Sequence, residues 1–246
     1  MTAPNIRVLP TADAMIAEAA DRIIQAASES VDLFDRFSLF LSGGSTPKPL
    51  YELLASEDFS DVIPWNKVEV FFADERCVPP DHPDSNFRMI AETLLTKVPL
   101  PRDNIYRMKG EIDPNAAARE YGVMLKEKFS ETGPDFMLLG MGSDGHTASL
   151  FPHSEALGEK KHRCVAQFVE NSTTGKSWRI TLTAPFINSA RDVLVLVAGE
   201  EKAKPLQQVL EGPPDPDRLP LQLIQPENGR MAYLIDVAAA GMNEAD

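Results

Sequence analysis

The sequence has few cysteines and no long hydrophobic run. Cys77 and Cys164 are the only cysteines, and they do not form a Cys-x-x-Cys pair. Two such cysteines do not make a disulfide framework, so we expect a reducing, cytoplasmic location. No stretch of about 18 apolar residues is present, and the N-terminus lacks the basic and apolar segments of a signal peptide. We therefore expect no association with a membrane.

Positive charge is also scarce. Lysine and arginine total 24 against 37 acidic residues, so the formal net charge is -13. Because this charge repels nucleic acid and no basic run is present, we expect no nucleic-acid partner. An anionic ligand would need local cations and helix N-termini to hold it against the overall field.

Metal ligands are sparse as well. The four histidines are His82, His146, His153 and His162. None lies at metal-ligand spacing from another, and the HExxH motif is absent. The sequence therefore predicts no metal, and it shows no obligatory protein partner.

Strands and helices alternate along the chain. Helical periodicity covers residues 11–34 with Thr11 as the N-cap, "KVEVFFADER" is interpreted as one strand, and "DSNFRMIAETLL" as a helix capped by Asp84 or Ser85. Several strands are apolar on both faces, as buried parallel strands are. The proline-rich "EGPPDPDRLPLQL" is interpreted as a surface loop. We predict an α/β fold over residues 1–246: a single doubly wound domain with a mainly parallel sheet and helices on both faces.

Small or charged residues follow four predicted strands, at residues 42–46, 74–76, 140–146 and 199–202. The carboxyl ends of parallel strands meet at one edge of a sheet, and ligands of open α/β sheets bind there. We therefore expect one site built from all four segments.

The first segment has the features of an anion-binding turn. Gly43 and Gly44 allow a tight turn with positive φ, and a helix that begins near Pro47 points free N–H groups into the crevice. Ser45 and Thr46 add hydroxyls, and one of them is expected to cap that helix. We predict that these four residues, 43 to 46, bind substrate, although the GxxxxGK[ST] pattern of a Walker loop is absent.

A serine-hydrolase interpretation of the same segment is an alternative. Ser45, Asp74 and His146 follow the order of an α/β-hydrolase triad. However, Pro47 stands where the G-x-S-x-G motif requires glycine for close helix–strand contact, which counts against this interpretation.

The glycines after the third strand also have two interpretations. Gly140, Gly142 and Gly145 match the dinucleotide motif GxGxxG. However, Pro152 cuts the following helix short, and Glu170, the candidate for the acidic residue that binds the ribose, lies further along the chain than the motif requires. Alternatively, the glycines let His146 project into the crevice, and this second interpretation is favoured.

His146 is the candidate general base. We expect it at a helix N-terminus, where the dipole keeps the imidazole neutral and able to accept a proton. Asp144 or Asp74 would orient it. The candidate catalytic residues are therefore His146, Asp144 and Asp74.

Three cations are candidates for substrate binding. Arg76 follows a buried strand and suits bidentate contact with an oxyanion, although an ion pair with Asp74 or Glu75 is the simpler explanation. Lys202 opens a helix, where a cation is unfavourable unless an anion is near. Arg179 begins "RITLT" and is a third cation at a strand edge.

Taken together, these residues resemble the 6-phosphogluconolactonase family, within the wider group that includes glucosamine-6-phosphate deaminase. The DER and GMGSDGHTASLFP blocks are the most specific. The matching stretches, which span most of the chain in the family order, are "LSGGSTPKPLYELL", "FFADERCVPPDHPDSNF", "LLGMGSDGHTASLFP", "WRITLTAPFINSA" and "VLVAGEEKAKPLQQVL".

The resemblance implies hydrolysis of 6-phospho-D-glucono-1,5-lactone to 6-phosphogluconate in the oxidative pentose phosphate pathway. His146 would activate water and then protonate the ring oxygen. Arg76 and Lys202 would hold the substrate and its developing charge, while the turn at residues 43–46 and Arg179 would bind phosphate or hydroxyls. The partner would be a phosphorylated sugar lactone, with no metal or organic cofactor.

Two other functions remain as alternatives. Similar deaminases place a catalytic Glu after the shared DGH, where this chain has Phe151, and they carry DEY rather than DER; both differences favour the lactonase. A non-enzymatic sugar-phosphate sensor would usually carry a helix-turn-helix segment. This chain has an acidic first helix and no room for a DNA-binding module.

Overall fold

A computed structural model describes residues 5–172 and 175–242 of the chain. The α-helices in these residues are α1 (Ala12–Phe34), α2 (Lys48–Leu54), α3 (Asn86–Ile90), α4 (Pro114–Lys128), α5 (Ala184–Ile187) and α6 (Ala203–Glu211). The strands are β1 (Asn5–Leu9), β2 (Phe37–Leu41), β3 (Val68–Phe72), β4 (Asp74–Arg76), β5 (Ile105–Tyr106), β6 (Phe136–Gly140), β7 (Cys164–Ser172), β8 (Gly175–Leu182), β9 (Asp192–Val197) and β10 (Arg230–Asp236).

The central sheet has seven strands in the order β1-β10-β9-β6-β2-β3-β5, and every neighbouring pair is parallel. Its middle strands β2 and β9 are apolar on both faces and almost fully buried, as a sheet covered on both sides requires. The predicted α/β class with a mainly parallel sheet is therefore confirmed.

An aromatic cluster fills the core on one face of β2 and β3. The rings of Phe40 and Phe71 are stacked with centroids 4.6 Å apart. Phe129, at the end of α4, and Phe186, in α5, meet Phe40 edge-on or tilted at 5.6 and 5.8 Å. These contacts fix α4 and α5 against the sheet.

The first helix begins where the sequence predicts. Thr11 is extended, and its Oγ1 accepts a hydrogen bond from the N–H of Ala14 at 3.1 Å, so it is the N-cap of α1. The buried side of α1 packs against β1, β2, β10 and α2. This helix therefore covers the end of the sheet that carries β1 and β10.

The predicted strand "KVEVFFADER" is divided between two sheets, which corrects the interpretation of it as one strand. β3 ends at Phe72, and β4 joins a second, antiparallel sheet in the order β4-β8-β7, called here the small sheet. Ala73 is the junction: its N–H donates to Leu41 O in the central sheet, and its carbonyl accepts from the N–H of Leu182 in β8, both at 2.9 Å.

The strand order reverses between β2 and β6. These strands are neighbours, but β3 lies on the far side of β2 and β9 on the far side of β6. The connections that leave their carboxyl ends therefore diverge and open a crevice, which is where open α/β sheets bind ligands. The segments at residues 42–46 and 140–146 both begin at this crevice.

The proline-rich segment is only partly a surface loop. Leu219 and Leu221 are buried, and the N–H of Leu221 donates to Gly145 O at 3.0 Å. The apolar side chains inside the segment, which its prolines and charges obscure in the sequence, therefore pack beside the turn that follows β6.

No helix within the described ranges is both long and apolar enough to cross a membrane. The assignment of residues 1–246 to one domain stays a prediction.

Candidate active site

Residues 141–152, called here the histidine loop, follow β6 as a series of turns. The N–H of Gly142 donates to His146 O at 2.8 Å, and the N–H of Gly145 donates to Gly142 O at 3.0 Å. Gly145 has φ 81, a conformation that favours glycine. The loop therefore curls back on itself and presents His146 at its outer end.

The expectation that His146 lies at a helix N-terminus is wrong. The described chain forms turns through residues 141–154, and the next helical residues are the 3₁₀ turn Glu155–Gly158. A helix dipole therefore does not act on the ring. The same finding removes the dinucleotide interpretation, because that motif must open a helix, and Glu170 lies on the antiparallel β7.

The imidazole of His146 is bound by Asp144. Nδ1 of His146 lies 2.6 Å from Asp144 Oδ1, and the same oxygen accepts the backbone N–H of His146 at 3.1 Å. Burial raises the pKa of Asp144, but the hydrogen bonds and charge of His146 outweigh it, so the net pKa is lowered. An ionised carboxylate only accepts hydrogen bonds, so Nδ1 carries a proton, and in the neutral ring Nε2 is the nitrogen that can accept one.

Tight packing fixes the ring of His146. A Cβ at Gly142 would lie only 2.1 Å from His146 Nδ1, so the ring rests directly on the glycine backbone. Phe151 packs on the ring with centroids 4.3 Å apart at 33°. The His146 side chain nevertheless keeps 30% of its surface exposed, so a substrate can reach it.

Asp74 is buried and is bound by other residues. Its Oδ2 accepts from Ser149 Oγ at 2.6 Å, and its Oδ1 accepts from Asn86 Nδ2 at 3.1 Å. Asp144, rather than Asp74, therefore contacts His146. No hydrogen bond links Ser45 to His146 in the part of the chain that the structure describes, so the serine triad is not assembled.

The turn at residues 43–46, called here the glycine turn, lies against Asn86. A Cβ on Gly43 would be 1.8 Å from Asn86 Oδ1, and Gly44 has φ 105, so both positions require glycine. The expected cap by Ser45 or Thr46 is wrong, because the N-cap of α2 is Pro47, which makes no side-chain capping bond. Gly44 and Ser45 are exposed.

Two arginines face each other across the small sheet. Arg76 on β4 is the cross-strand partner of Arg179 on β8, and they are called here the arginine pair. Arg179 is only 5% exposed and donates to Ser177 Oγ and to Trp178 O. Arg76 Nη1 donates to Asp84 O at 2.7 Å. Burial and the charge of Arg76 lower the pKa of Arg179.

The arginine pair has no carboxylate partner within 4.0 Å among the described residues, so the expected ion pair of Arg76 with Asp74 or Glu75 is absent. Like charges directly opposite each other destabilise a sheet. A buried cation without a counter-ion is also costly. An anion bound between the two guanidinium groups would remove both costs.

Glu75 points to the opposite side of β4 and has a structural role. Its Oε1 accepts the N–H groups of Arg76 and Asn86 at 2.7 and 2.8 Å, and its Oε2 accepts Ser85 Oγ and the N–H of Phe87 at 3.0 and 2.8 Å. Burial raises the pKa of this carboxyl, and the three backbone hydrogen bonds oppose the rise. Glu75 therefore satisfies the free N–H groups at the start of α3.

Lys202 lies at the same edge of the central sheet, in the 3₁₀ turn Glu200–Lys202 that leads into α6. It is half-buried, and no described side chain within hydrogen-bond distance contacts its Nζ. The structure thus places Lys202 at the rim without joining it to the other candidates.

Contacts join most of the predicted site. Asp74 connects the glycine turn, through Asn86, to the histidine loop, through Ser149, and its strand carries Arg76. The sequence analysis missed Ser149 and Asn86. The hydroxyl three residues after His146 was a signal for Ser149, whereas Asn86 looked only like the start of a helix.

No group of three His, Cys, Asp or Glu side chains within residues 5–172 and 175–242 is arranged to hold a metal ion.

Comparison with known proteins connects this site to a family. Residues 10–233 match the family model described as glucosamine-6-phosphate isomerases/6-phosphogluconolactonase. The 6-phosphogluconolactonases of Nostoc sp. and Synechocystis sp. are 41% and 38% identical to the chain, which is covered to 96% in both cases; the alignments cover 96% and 97% of the relatives.

Solved structures agree with this result. The 6-phosphogluconolactonase from Trypanosoma cruzi superposes with a TM-score of 0.86 at 29% identity, covering 97% of this chain and 96% of that one. A monomeric glucosamine-6-phosphate deaminase has a TM-score of 0.81 at 20% identity, which shows a shared fold alone. The resemblance to the 6-phosphogluconolactonase family and the prediction of a 6-phosphogluconolactonase are confirmed. The chain belongs to the glucosamine-6-phosphate isomerase/6-phosphogluconolactonase family.

Proposed function

We propose that this protein hydrolyses 6-phospho-D-glucono-1,5-lactone to 6-phosphogluconate, as the name of its relatives indicates, with His146 as the general base. The observation that carries the proposal is the Asp144–His146 pair on the histidine loop, at the crevice between β2 and β6. It combines an oriented, partly exposed base with arginines that have no carboxylate within 4.0 Å among the described residues.

The reaction has two proton transfers at His146. Nε2 takes a proton from water as the water oxygen attacks the lactone carbonyl carbon, and the carbonyl becomes an oxyanion. The imidazolium then gives this proton to the ring oxygen as the carbon–oxygen bond of the ring breaks, which leaves a carboxylic acid and a hydroxyl. Asp144 holds the ring and stabilises the imidazolium between the two steps.

The arginine pair supplies the site for the phosphate group. Its guanidinium groups carry several N–H donors for an anion, and the burial of Arg179 strengthens a charge-assisted hydrogen bond made there. The glycine turn offers backbone N–H groups and the hydroxyls of Ser45 and Thr46 to sugar or phosphate oxygens. Lys202 approaches from the β9 side of the crevice, where it would meet the developing oxyanion.

Phe151 favours the lactonase over a deaminase. In similar deaminases a catalytic Glu occupies this position, but here an aromatic ring packs on His146. Without that carboxylate, Asp144 is the acidic residue that contacts the imidazole.

Substitution of the base tests the proposal. We expect His146→Ala to lower kcat on freshly generated lactone by about 10²- to 10⁴-fold after spontaneous hydrolysis is subtracted. His162→Ala is the matched control, because His162 is exposed and pairs with Glu159 away from the candidate site residues. The measurement is the initial rate of acid release at constant pH.

Near wild-type turnover in His146→Ala would refute the role of His146 as the base. Release of ammonia from glucosamine 6-phosphate by the wild-type protein would instead support a deaminase. We expect none, because no carboxylate occupies the position of Phe151.

A further inference from the structure

The residue two positions after His146 has a strained backbone. Ala148 has φ 47, a left-handed conformation that non-glycine residues adopt rarely. Such a conformation persists only where the surroundings hold it in place. What holds Ala148 therefore also holds the histidine loop.

The N–H of Leu150 closes this turn by donating to Thr147 O at 2.9 Å, and Ser149 attaches the closed turn to the small sheet through two further hydrogen bonds. Its Oγ donates to Asp74 Oδ2 at 2.6 Å, and its N–H donates to Thr181 Oγ1 at 3.2 Å. The hydroxyl of Thr181 donates its own proton to Leu182 O, so its oxygen is left to accept. Ser149 is 1% exposed, and these bonds are shielded from water.

Both acceptors belong to a rigid frame. Asp74 and Thr181 are cross-strand partners in the small sheet. Asn86 Nδ2 donates to both the carbonyl and the carboxylate of Asp74, at 3.0 and 3.1 Å, so the carboxylate cannot swing away. The small sheet therefore holds the histidine loop in place through the hydrogen bonds of Ser149.

The opposite side of His146 is also fixed, because its carbonyl accepts the N–H of Gly142. We propose that Ser149 is a positioning residue for the reaction: through Asp74 and Thr181 it holds the strained turn against the small sheet, and this places the His146 ring on Asp144. Ser149 does not touch the imidazole, so it acts only through the loop. This inference rests on the proposed function, because the position of His146 matters for the rate only if His146 is the general base.

Ser149→Ala tests this directly. We expect kcat to fall roughly tenfold, because misplacing a catalytic group by a fraction of an ångström slows the chemical step. KM should change by less than about twofold, since the arginine pair is untouched. Ser154→Ala is the matched control: it removes a hydroxyl a few residues away whose oxygen makes no hydrogen bond in the described structure.

Release of strain gives a second readout. Glycine adopts positive φ without steric cost. The loss of kcat caused by Ser149→Ala should therefore be at least about threefold smaller in an Ala148→Gly background than in the wild type. Equal losses in the two backgrounds would show that strain at Ala148 is not what Ser149 controls, and would overturn the proposal.

The position of the ring is measured without turnover. The chain has four histidines, so the ring ¹⁵N signals can be assigned by single substitutions. We expect Ser149→Ala to shift the signal of His146 and to leave those of His82, His153 and His162 in place. If the Ser149 variant does not fold, Thr181→Val removes one acceptor at a buried site and should shift the same signal.

The outcomes separate this inference from the proposed function. An unchanged His146 signal with unchanged kcat in Ser149→Ala, or an unchanged signal in the substitute Thr181→Val, overturns the positioning role. A shifted signal with unchanged kcat would show that Ser149 holds the ring without consequence for the reaction, and it would overturn the proposal, while His146→Ala tests the proposed function separately. A shifted signal with reduced kcat and constant KM supports both.

Discussion

The position of His146 depends on a side chain that is missing at Gly142. The imidazole occupies the space where any other residue would place its Cβ. Asp144 and Phe151 hold the ring against this surface from two other directions. The glycine is therefore part of the catalytic geometry although it carries no reactive group.

Gly142→Ala should separate catalysis from folding. The new Cβ would lie 2.1 Å from His146 Nδ1 and 2.7 Å from Asp144 Oδ1, so the ring must move. We expect kcat to fall by about 10²-fold with little change in the melting temperature. Steady-state kinetics and circular dichroism measure the two effects.

Gly158→Ala is the control for this prediction, because a Cβ there meets no atom within 4 Å. It should keep wild-type kcat. If Gly142→Ala is as active as Gly158→Ala, the ring is free to shift without loss, and the tight packing has no catalytic meaning.

At the residue scale, the sequence predicts the reactive groups better than their partners. The glycines around His146 and its place after a strand identify it as a candidate. The choice between Asp144 and Asp74 depends on how the histidine loop folds back, which local pattern does not encode. The role of Asn86 depends on its contacts with Gly43 and Asp74, which are far from each other in the sequence.

At the scale of elements, the three-residue strand β4 performs two tasks. Asp74 binds Ser149 of the histidine loop and Arg76 is the cross-strand partner of Arg179, whereas Glu75 binds the start of α3. Successive side chains of a strand alternate in direction. Within the DER motif, Asp74 and Arg76 therefore belong to the candidate site, whereas Glu75 between them stabilises the fold. The stability of β4 therefore depends on Glu75.

Glu75→Gln should destabilise the protein by about 1–3 kcal/mol, because the amide group of glutamine places N–H donors against the N–H groups of Asn86 and Phe87. The free energy of unfolding in urea measures this. Glu92→Gln is the control: the side chains of Glu92 and Arg88 in its ion pair are 62% and 39% exposed, so we expect a clearly smaller loss than for Glu75→Gln. Equal losses would contradict the structural role of Glu75.

The elements that the sequence predicts have strong local patterns. Continuous apolar runs predict β2, β6 and β9, and a cap followed by helical periodicity predicts α1 and α4. β1, β5 and β7 were missed. β1 is largely exposed, β5 has two residues, and β7 exists because it pairs with β8. The division of "KVEVFFADER" likewise comes from hydrogen bonds to distant strands rather than from its own sequence.

For the whole molecule, the central question is how an acidic protein binds an anion. The formal net charge is -13, but Arg179 is buried and Arg76 half-buried, and neither has a carboxylate within 4.0 Å among the described residues. Buried charges are screened by salt far less than exposed charges. The local attraction therefore acts at contact, and the repulsion from the acidic surface acts at longer range.

This difference in range predicts an unusual response to salt. The Debye length shortens from about 30 Å at about 10 mM to about 8 Å at about 150 mM ionic strength. Added NaCl should weaken the long-range repulsion while it leaves the contact with Arg179 largely intact. We expect kcat/KM for the phosphorylated lactone to rise, by about twofold, over this interval.

The double variant Asp21→Asn/Asp32→Asn distinguishes surface repulsion from other salt effects. Both aspartates are exposed on α1 and lie outside the candidate site, so their replacement lowers the repulsion without altering the crevice. The variant should have a higher kcat/KM at low salt and a smaller rise with NaCl than the wild type. A fall of kcat/KM with salt in both proteins would mean that screening of the cations at the crevice dominates. The acidic exterior would then have no influence on the encounter with the substrate.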